Sequence, residues 1–237
     1  MKPVAIFRHA RTEGAGFLSD FLTESGIPWK LYKVDEADSI PDSASIFSGL
    51  VFMGGPMSVN DDLPWIPHVL DLIRDAVGKD IPVLGHCLGG QLMAKALGGQ
   101  VSRNPSKEIG WGRVEVIGDA DRWFGGLATF EAFHWHGETF SIPEGADRLL
   151  SSRWCENQAF SIGPHLGLQC HVEMNSEMVR SWCETGAAEI REHLGESVQS
   201  GEAMQQDLDA RISQLNRVAR RIYGAWLEGL ESQDRLA

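Results

Sequence analysis

The sequence predicts an α/β protein with a doubly wound, mostly parallel sheet, to which a small β meander and C-terminal helices are added. Three observations predict it. Short apolar runs alternate with amphipathic stretches of helical period through the first hundred residues. Glycines stand where strand passes into helix, at Gly54-Gly55 and Gly85. Near the end, Leu208, Ile212, Leu215, Val218, Ala219, Ile222, Trp226 and Leu230 make one apolar stripe, with Arg and Glu on the remaining positions.

Taken in order, residues 3–7 read as a buried strand. Residues 16–25 read as a helix stopped by Gly26, since a residue with positive φ commonly ends a helix. Residues 29–34 form a second strand, and residues 50–53 a third that runs into Gly54-Gly55-Pro56. Ile66, Val69, Leu70, Ile73 and Val77 fall on one helical face. A fourth strand, 81–84, meets Gly85-His86-Cys87, and residues 88–97 read as a helix closed by Gly98-Gly99. Short links between such units imply parallel strands. Residues 113–117, 130–135, 159–162 and 166–171 then read as short strands of a meander on the same sheet. The apolar stripe is expected to cover that sheet, as most amphipathic helices do. Only residues 195–201 (GESVQSG) look like a linker, and no boundary divides the chain. The expectation is a single domain over 1–237, with a catalytic α/β core over 1–194 and a C-terminal helix over 202–231 packed on it.

Composition narrows the function. With 21 Lys+Arg against 33 Asp+Glu, the 237-residue chain carries a formal charge of −12. That balance argues against nucleic-acid or anionic-membrane partners, which need clustered Lys and Arg. The N-terminal apolar run is too short for a signal peptide, and no stretch of about 18 uncharged apolar residues exists to span a membrane. Cys87, Cys155, Cys170 and Cys183 lack CxxC spacing, so neither a disulfide framework nor a zinc site is indicated. A reducing cytoplasm fits best.

Cys87 sits between a buried strand and a helix in Gly85-His86-Cys87-Leu88-Gly89-Gly90-Gln91. Flanking glycines let a nucleophile make a tight strand-to-helix turn. The helix N-terminus there favours thiolate over thiol. An inert buried cysteine has the same surroundings, so the elbow alone leaves both readings open. Gly167-Leu168-Gln169-Cys170-His171-Val172-Glu173 supplies the second part. On a strand, His171 and Glu173 share a face, where the carboxylate can orient the imidazole and the imidazole can take a proton from Cys87. Cys170, on the opposite face, reads as core. His134 and His136 are spaced as metal ligands would be, but no third ligand stands at metal spacing.

Together these segments resemble the class I (triad-type) glutamine amidotransferases, in particular stand-alone proteins similar to the glutaminase domain of GMP synthetase. The resemblance is carried by Met53-Gly54-Gly55-Pro56-Met57-Ser58, the GHCLGGQ elbow, Glu108-Ile109-Gly110-Trp111, His134-Trp135-His136-Gly137-Glu138-Thr139-Phe140, Asn157-Gln158-Ala159-Phe160 and GLQCHVE. It implies a flavodoxin-like fold and a Cys87-His171-Glu173 triad. It also implies an oxyanion hole from the N–H groups of Gly55 and Leu88, and Gln91 with His136, Gly137 and Glu138 holding the α-amino and α-carboxylate ends of the substrate. No metal and no cofactor are implied. Val172 stands where the family usually has proline, with a side chain expected to point away from the triad.

The expected activity is therefore hydrolysis of a γ-glutamyl amide, glutamine or a related small molecule, through a γ-glutamyl thioester. The rival elbow, that of the α/β hydrolases, places its acid before its histidine, whereas Glu173 follows His171. A binding protein keeping the fold without turnover is the other alternative. Sixty-four residues follow Glu173, too few for a synthetase domain. Either a separate synthetase subunit receives the ammonia, or the protein works alone on γ-glutamyl compounds, which is the reading preferred here.

Overall fold

The computed structural model describes residues 2–234. Met1 and residues 235–237, which the single-domain expectation includes, lie outside the described residues. Among the described residues nine strands form one sheet: β1 (Val4–Arg8), β2 (Trp29–Lys33), β3 (Gly49–Phe52), β4 (Val83–His86), β5 (Val101–Val116), β6 (Thr129–Phe140), β7 (Asp147–Ser152), β8 (Ala159–Ile162) and β9 (His165–Leu168). Their order is β2-β1-β3-β4-β9-β8-β7-β5-β6. The first five in that order pair in parallel and the rest antiparallel.

Side-chain alternation fills both faces of the parallel half. Val4 and Ile6 of β1 enter one core while Ala5 and Phe7 enter the other, and Leu84 and Val83 of β4 divide the same way, as a period of two requires. Against the second core lie α2 (Trp65–Gly78), with the predicted Ile66, Val69, Leu70 and Ile73 buried, and α3 (Leu88–Ala96). The first core is covered by α1 (Phe17–Glu24), α4 (Asp121–Phe124), α5 (Ser176–Thr185), α6 (Ala187–His193), α7 (Gly201–Gln205) and α8 (Leu208–Asp234). α8 presses its stripe so close to β3 that a Cβ on Gly49 would stand 2.6 Å from Leu230 and 2.9 Å from Trp226. Among the described residues no helix is long and apolar enough to cross a membrane.

The α/β fold with a parallel, doubly wound part and an added meander is as the sequence predicts, but the sheet is evenly mixed, with four parallel and four antiparallel pairings among the described strands, and several boundaries differ. The fourth strand starts at Val83, beyond Pro82, and runs through His86. In the meander β5 and β6 are far longer than expected, 16 and 12 residues, because they pair with each other along nearly their whole length across an irregularity between Arg103 and Glu108. β7 had no expected counterpart. The GESVQSG stretch is not a linker: Val198 is buried and bridges Ile109, and the Gln199 side chain bonds both backbone groups of Trp111. The expected C-terminal helix is two helices, α7 and α8, separated at Asp207, whose φ is +53°.

Two glycine substitutions should move stability in opposite directions. A Cβ on Gly89 would lie 1.9 Å from the Phe52 carbonyl oxygen, so Gly89→Ala should cost about 3 kcal/mol or more in denaturant unfolding. Gly78 ends α2 with nothing within 4 Å of its Cβ position, so Gly78→Ala should gain about 0.5–1 kcal/mol in the same measurement.

Candidate active site

β4 ends at His86 and α3 begins at Leu88, so one residue turns the chain. That residue, Cys87, has φ +49° and ψ −105°, a conformation costing a side-chain-bearing residue about 1–3 kcal/mol. Its glycine neighbours make the turn feasible by letting α3 start against the sheet. A Cβ on Gly85 would meet the Gly89 carbonyl carbon at 2.4 Å, and one on Gly90 the Leu168 carbonyl oxygen at 2.4 Å. The Cys87 N–H donates to Leu168 O at 2.8 Å, tying the elbow to β9. Its sulfur faces Trp135 O at 3.9 Å and receives the Gln169 side-chain N–H at 3.5 Å.

His171 and Glu173 meet side by side, but not as neighbours on a strand. β9 ends at Leu168; His171 then forms a lone bridge with Phe133 of β6, its N–H donating to Phe133 O at 2.8 Å. The chain leaves the ladder at the elbow, where Leu168 O accepts the Cys87 N–H, and β6 recaptures it three residues later. His171 Nδ1 and Glu173 Oε1 are 2.6 Å apart, both groups buried. The Trp182 ring stands edge-on to the imidazole at 4.9 Å between centroids. Burial opposes the imidazolium, but the Glu173 carboxylate and the neighbouring Cys87 sulfur outweigh it and hold the His171 pKa well above its ordinary value. Burial likewise opposes the Glu173 carboxylate, yet His86 and His171 lower its pKa to about 2.

Cys87 and His171 open on a cavity of about 430 Å³, which Gly55, Gln91, His136, Gly137 and Glu138 also line. Leu88 is the first residue of α3, so its N–H has no acceptor within the helix. Its side chain would meet a Cβ on Gly55 at 2.7 Å, placing these two backbone segments against each other. Gln91 donates to Gln169 Oε1 at 3.1 Å. His136, Gly137 and Glu138 lie within β6 rather than in a turn, and Glu138 accepts from Ser58 Oγ at 3.1 Å. Cys170 and Val172 are buried in the core that faces α8, not in the cavity.

One expectation about metal ligands needs correction. The sequence showed no third group beside His134 and His136; pairing of β5 with β6 brings Glu108 opposite His136, and the three potential ligand atoms lie within 4.8 Å of one another. The Gln158 side-chain nitrogen occupies their midst, donating to Glu108 Oε2 at 2.7 Å and lying 3.3 Å from His134 Nδ1 and 3.4 Å from His136 Nε2. An amide donor thus fills the place a cation would take, and the network fixes the ring of His136. Burial lowers the His134 pKa to about 4, which keeps it neutral.

Four further groups around the site were not singled out from sequence. His86, wholly buried, places Nε2 3.7 Å from Glu173 Oε2 and 3.1 Å from the hydroxyl of Tyr223 on α8. Neither spacing nor polarity marks Tyr223, which falls among the apolar positions of its helix. Gln169 joins Cys87 to Gln91 from within a motif read only for His171 and Glu173. Glu13, half-buried in the loop after β1, lines the cavity; a Cβ on Gly54 would stand 2.0 Å from its Oε2 and 3.2 Å from His171 Cε1.

Residues 17–181 match the family model of class-I glutamine amidotransferases. A solved glutamine amidotransferase from Methylobacillus flagellatus is 46% identical and superposes with a TM-score of 0.94, covering 97% of this chain and 95% of its own. γ-Glutamyl peptidase 3 of Arabidopsis thaliana is 29% identical over 69% of each chain. A glutamine-hydrolysing GMP synthase of Lactobacillus acidophilus is 37% identical over 54% of this chain, which spans only 25% of that enzyme's length.

The electrostatics of the pair yield a direct expectation. In Glu173→Gln the largest influence raising the His171 pKa disappears while burial remains. The pKa should fall, as read from the imidazole resonances in a pH titration by NMR. An unchanged value would mean that Glu173 does not set the charge state of His171.

Proposed function

This chain belongs to the class I glutamine amidotransferase family, whose members are cysteine-dependent hydrolases or amidotransferases, and on that footing we propose that it cleaves a γ-glutamyl amide through a Cys87-His171-Glu173 triad. The observation carrying the proposal is Cys87 held at positive φ at a helix N-terminus, with its sulfur and the Glu173-paired His171 facing one cavity. Cys87 gives its proton to His171 and attacks the γ-carbonyl carbon. The developing oxyanion is met by the N–H groups of Gly55 and Leu88. His171 returns the proton to the departing nitrogen, the C–N bond breaks, and a γ-glutamyl thioester remains. Water, deprotonated by His171, then releases glutamate. Glu173 holds the imidazole throughout, and Gln91, His136, Gly137 and Glu138 hold the amino-acid end of the substrate. The proposal needs no metal and no cofactor.

In this reading residues 1–237 act as one catalytic unit, with α8 packed on the core. Between a subunit supplying ammonia to a separate synthetase and a free-standing hydrolase of γ-glutamyl compounds, we favour the second. Its likeness to a γ-glutamyl peptidase runs over 69% of each chain, whereas the match to the GMP synthase takes in only 54% of this chain.

Three measurements test this. A glutamine-analogue electrophile should label Cys87 and leave Cys155, Cys170 and Cys183 unmodified, as read by peptide mass spectrometry; labelling elsewhere with Cys87 intact would refute the nucleophile. Cys87→Ala should lower kcat by about 10⁴-fold, and adding His171→Gln should make it little worse, since members of a catalytic unit are not additive. Purified protein should release glutamate from γ-glutamyl compounds unaided. Background rates that rise only with a co-purifying synthetase would make the chain a subunit instead.

A further inference from the structure

The lining of the cavity falls into two groups. Gly55, Gln91, His136, Gly137 and Glu138 lie within the family match, and the proposed function assigns them to the glutamyl part. The second group is Thr12, Glu13, Trp182, Thr185 and Gly186, all outside residues 17–181, with Trp135; Trp182 and Glu13 set it at the His171 end of the cavity. It is a built surface. Trp182 donates its ring N–H to Thr12 O at 2.8 Å and stands edge-on to Trp135 at 5.9 Å. A Cβ on Gly186 would strike Trp135 at 2.2 Å. Trp135 is fixed in turn by Glu189, which pairs with Lys107 at 2.5 Å.

Among the described residues Glu13 pairs with no Lys or Arg; the cationic group near it is the His171 ring. Lys107 is matched by Glu189, and among the described residues no side chain donates a hydrogen bond to Glu13. Its carboxylate stands by Gly54 and the Cε1 edge of His171, next to the nitrogen through which the imidazole would pass its proton. Burial raises its pKa to about 7, against the pull of His171.

We propose that this end is a leaving-group subsite for the amine portion of an N-substituted γ-glutamyl amide, in which Glu13 accepts the N–H of the departing nitrogen and excludes leaving groups that carry a carboxylate beside it. The inference rests on the γ-glutamyl thioester reading above. Glu13 takes up no proton overall: the C–N bond breaks, the proton comes from His171, and Glu13 only stabilises the amine as it gains positive character. Two indole walls suit an alkyl chain. A free α-carboxylate, as in a γ-glutamyl amino acid, lies two bonds from the scissile nitrogen and would face Glu13 at close range, an unfavourable pairing in a partly desolvated site.

Two substrates nearly identical in shape isolate this effect: γ-glutamyl-alanine and γ-glutamyl-alaninamide, measured with glutamine and γ-glutamyl-ethylamide. Measured at a pH of about 9, above the pKa of about 7 at which Glu13 ionises, kcat/KM for the natural sequence should favour the alaninamide over the alanine compound by about tenfold or more. γ-Glutamyl-ethylamide should be turned over at least as well as glutamine. Glu13→Gln should shrink the alaninamide-to-alanine ratio toward one, and Glu13→Asp should restore part of it. A ratio within one variant is insensitive to how much of that variant folds. An equal ratio in the natural sequence and in Glu13→Gln, or turnover of glutamine alone, would overturn the subsite while leaving the thioester reading intact. No turnover of any member, with Cys87 also refractory to the glutamine-analogue electrophile, would overturn both.

Discussion

Everything in the site depends on a single unfavourable backbone conformation. Cys87 turns the chain between strand and helix at φ +49°, and nothing local makes that conformation comfortable for a side chain. It persists because the surroundings leave no alternative: its N–H is held by Leu168, and α3 begins in contact with β3 and β9 through Gly89 and Gly90. The strain is thus offset by the packing of the two cores, one on each side of the sheet. A cysteine on an ordinary helix could not present its sulfur at the strand ends. Here the C-terminal edge of β4 brings it beside the loop after β3, with Gly55, and the segment after β9, with His171.

A second constraint operates beneath the sulfur. Glu173 spends one oxygen on His171 and leaves the other near His86 and Tyr223, in a buried region where an unpaired carboxylate oxygen is costly. Tyr223 comes from α8, so the helix that the sequence marks as core cover also reaches the polar floor of the site. On the other side of the cavity Glu108, Gln158, His134 and His136 form a buried polar cluster whose work is orientation. They bond one another, the Ser152 hydroxyl and the carbonyls of Gly112 and Glu138, and His136 is the member that meets the cavity.

The sequence made the parallel half legible because local signals there coincide. Apolar runs bounded by glycines specify strands that are buried on both faces, and the α2 face could be assigned residue by residue. The antiparallel half was read poorly for a physical reason: β5 and β6 carry charged and polar residues such as Lys107, Glu108, His134 and Glu138 inward or along the cavity, so the alternation that marks a half-buried strand is broken where it matters. The elbow and the His171/Glu173 pair were readable from glycine placement and spacing, although the pair is assembled by a loop and a lone bridge rather than by a strand. Glu13, His86 and Tyr223 escaped notice because their roles come from long-range contact. His86 and Tyr223 are 137 positions apart, and no period or spacing connects them.

β6 is the last strand of its sheet, and its outer rim would ordinarily present unpaired backbone groups to any passing strand, the situation in which chains associate edge to edge. The bridge between Phe133 and His171 closes part of that rim. The segment that carries the imidazole therefore also acts as a guard on the sheet. A substitution that lets this segment swing away would disarm the site and uncover a sticky edge together, so chemical failure and self-association would be acquired in one step.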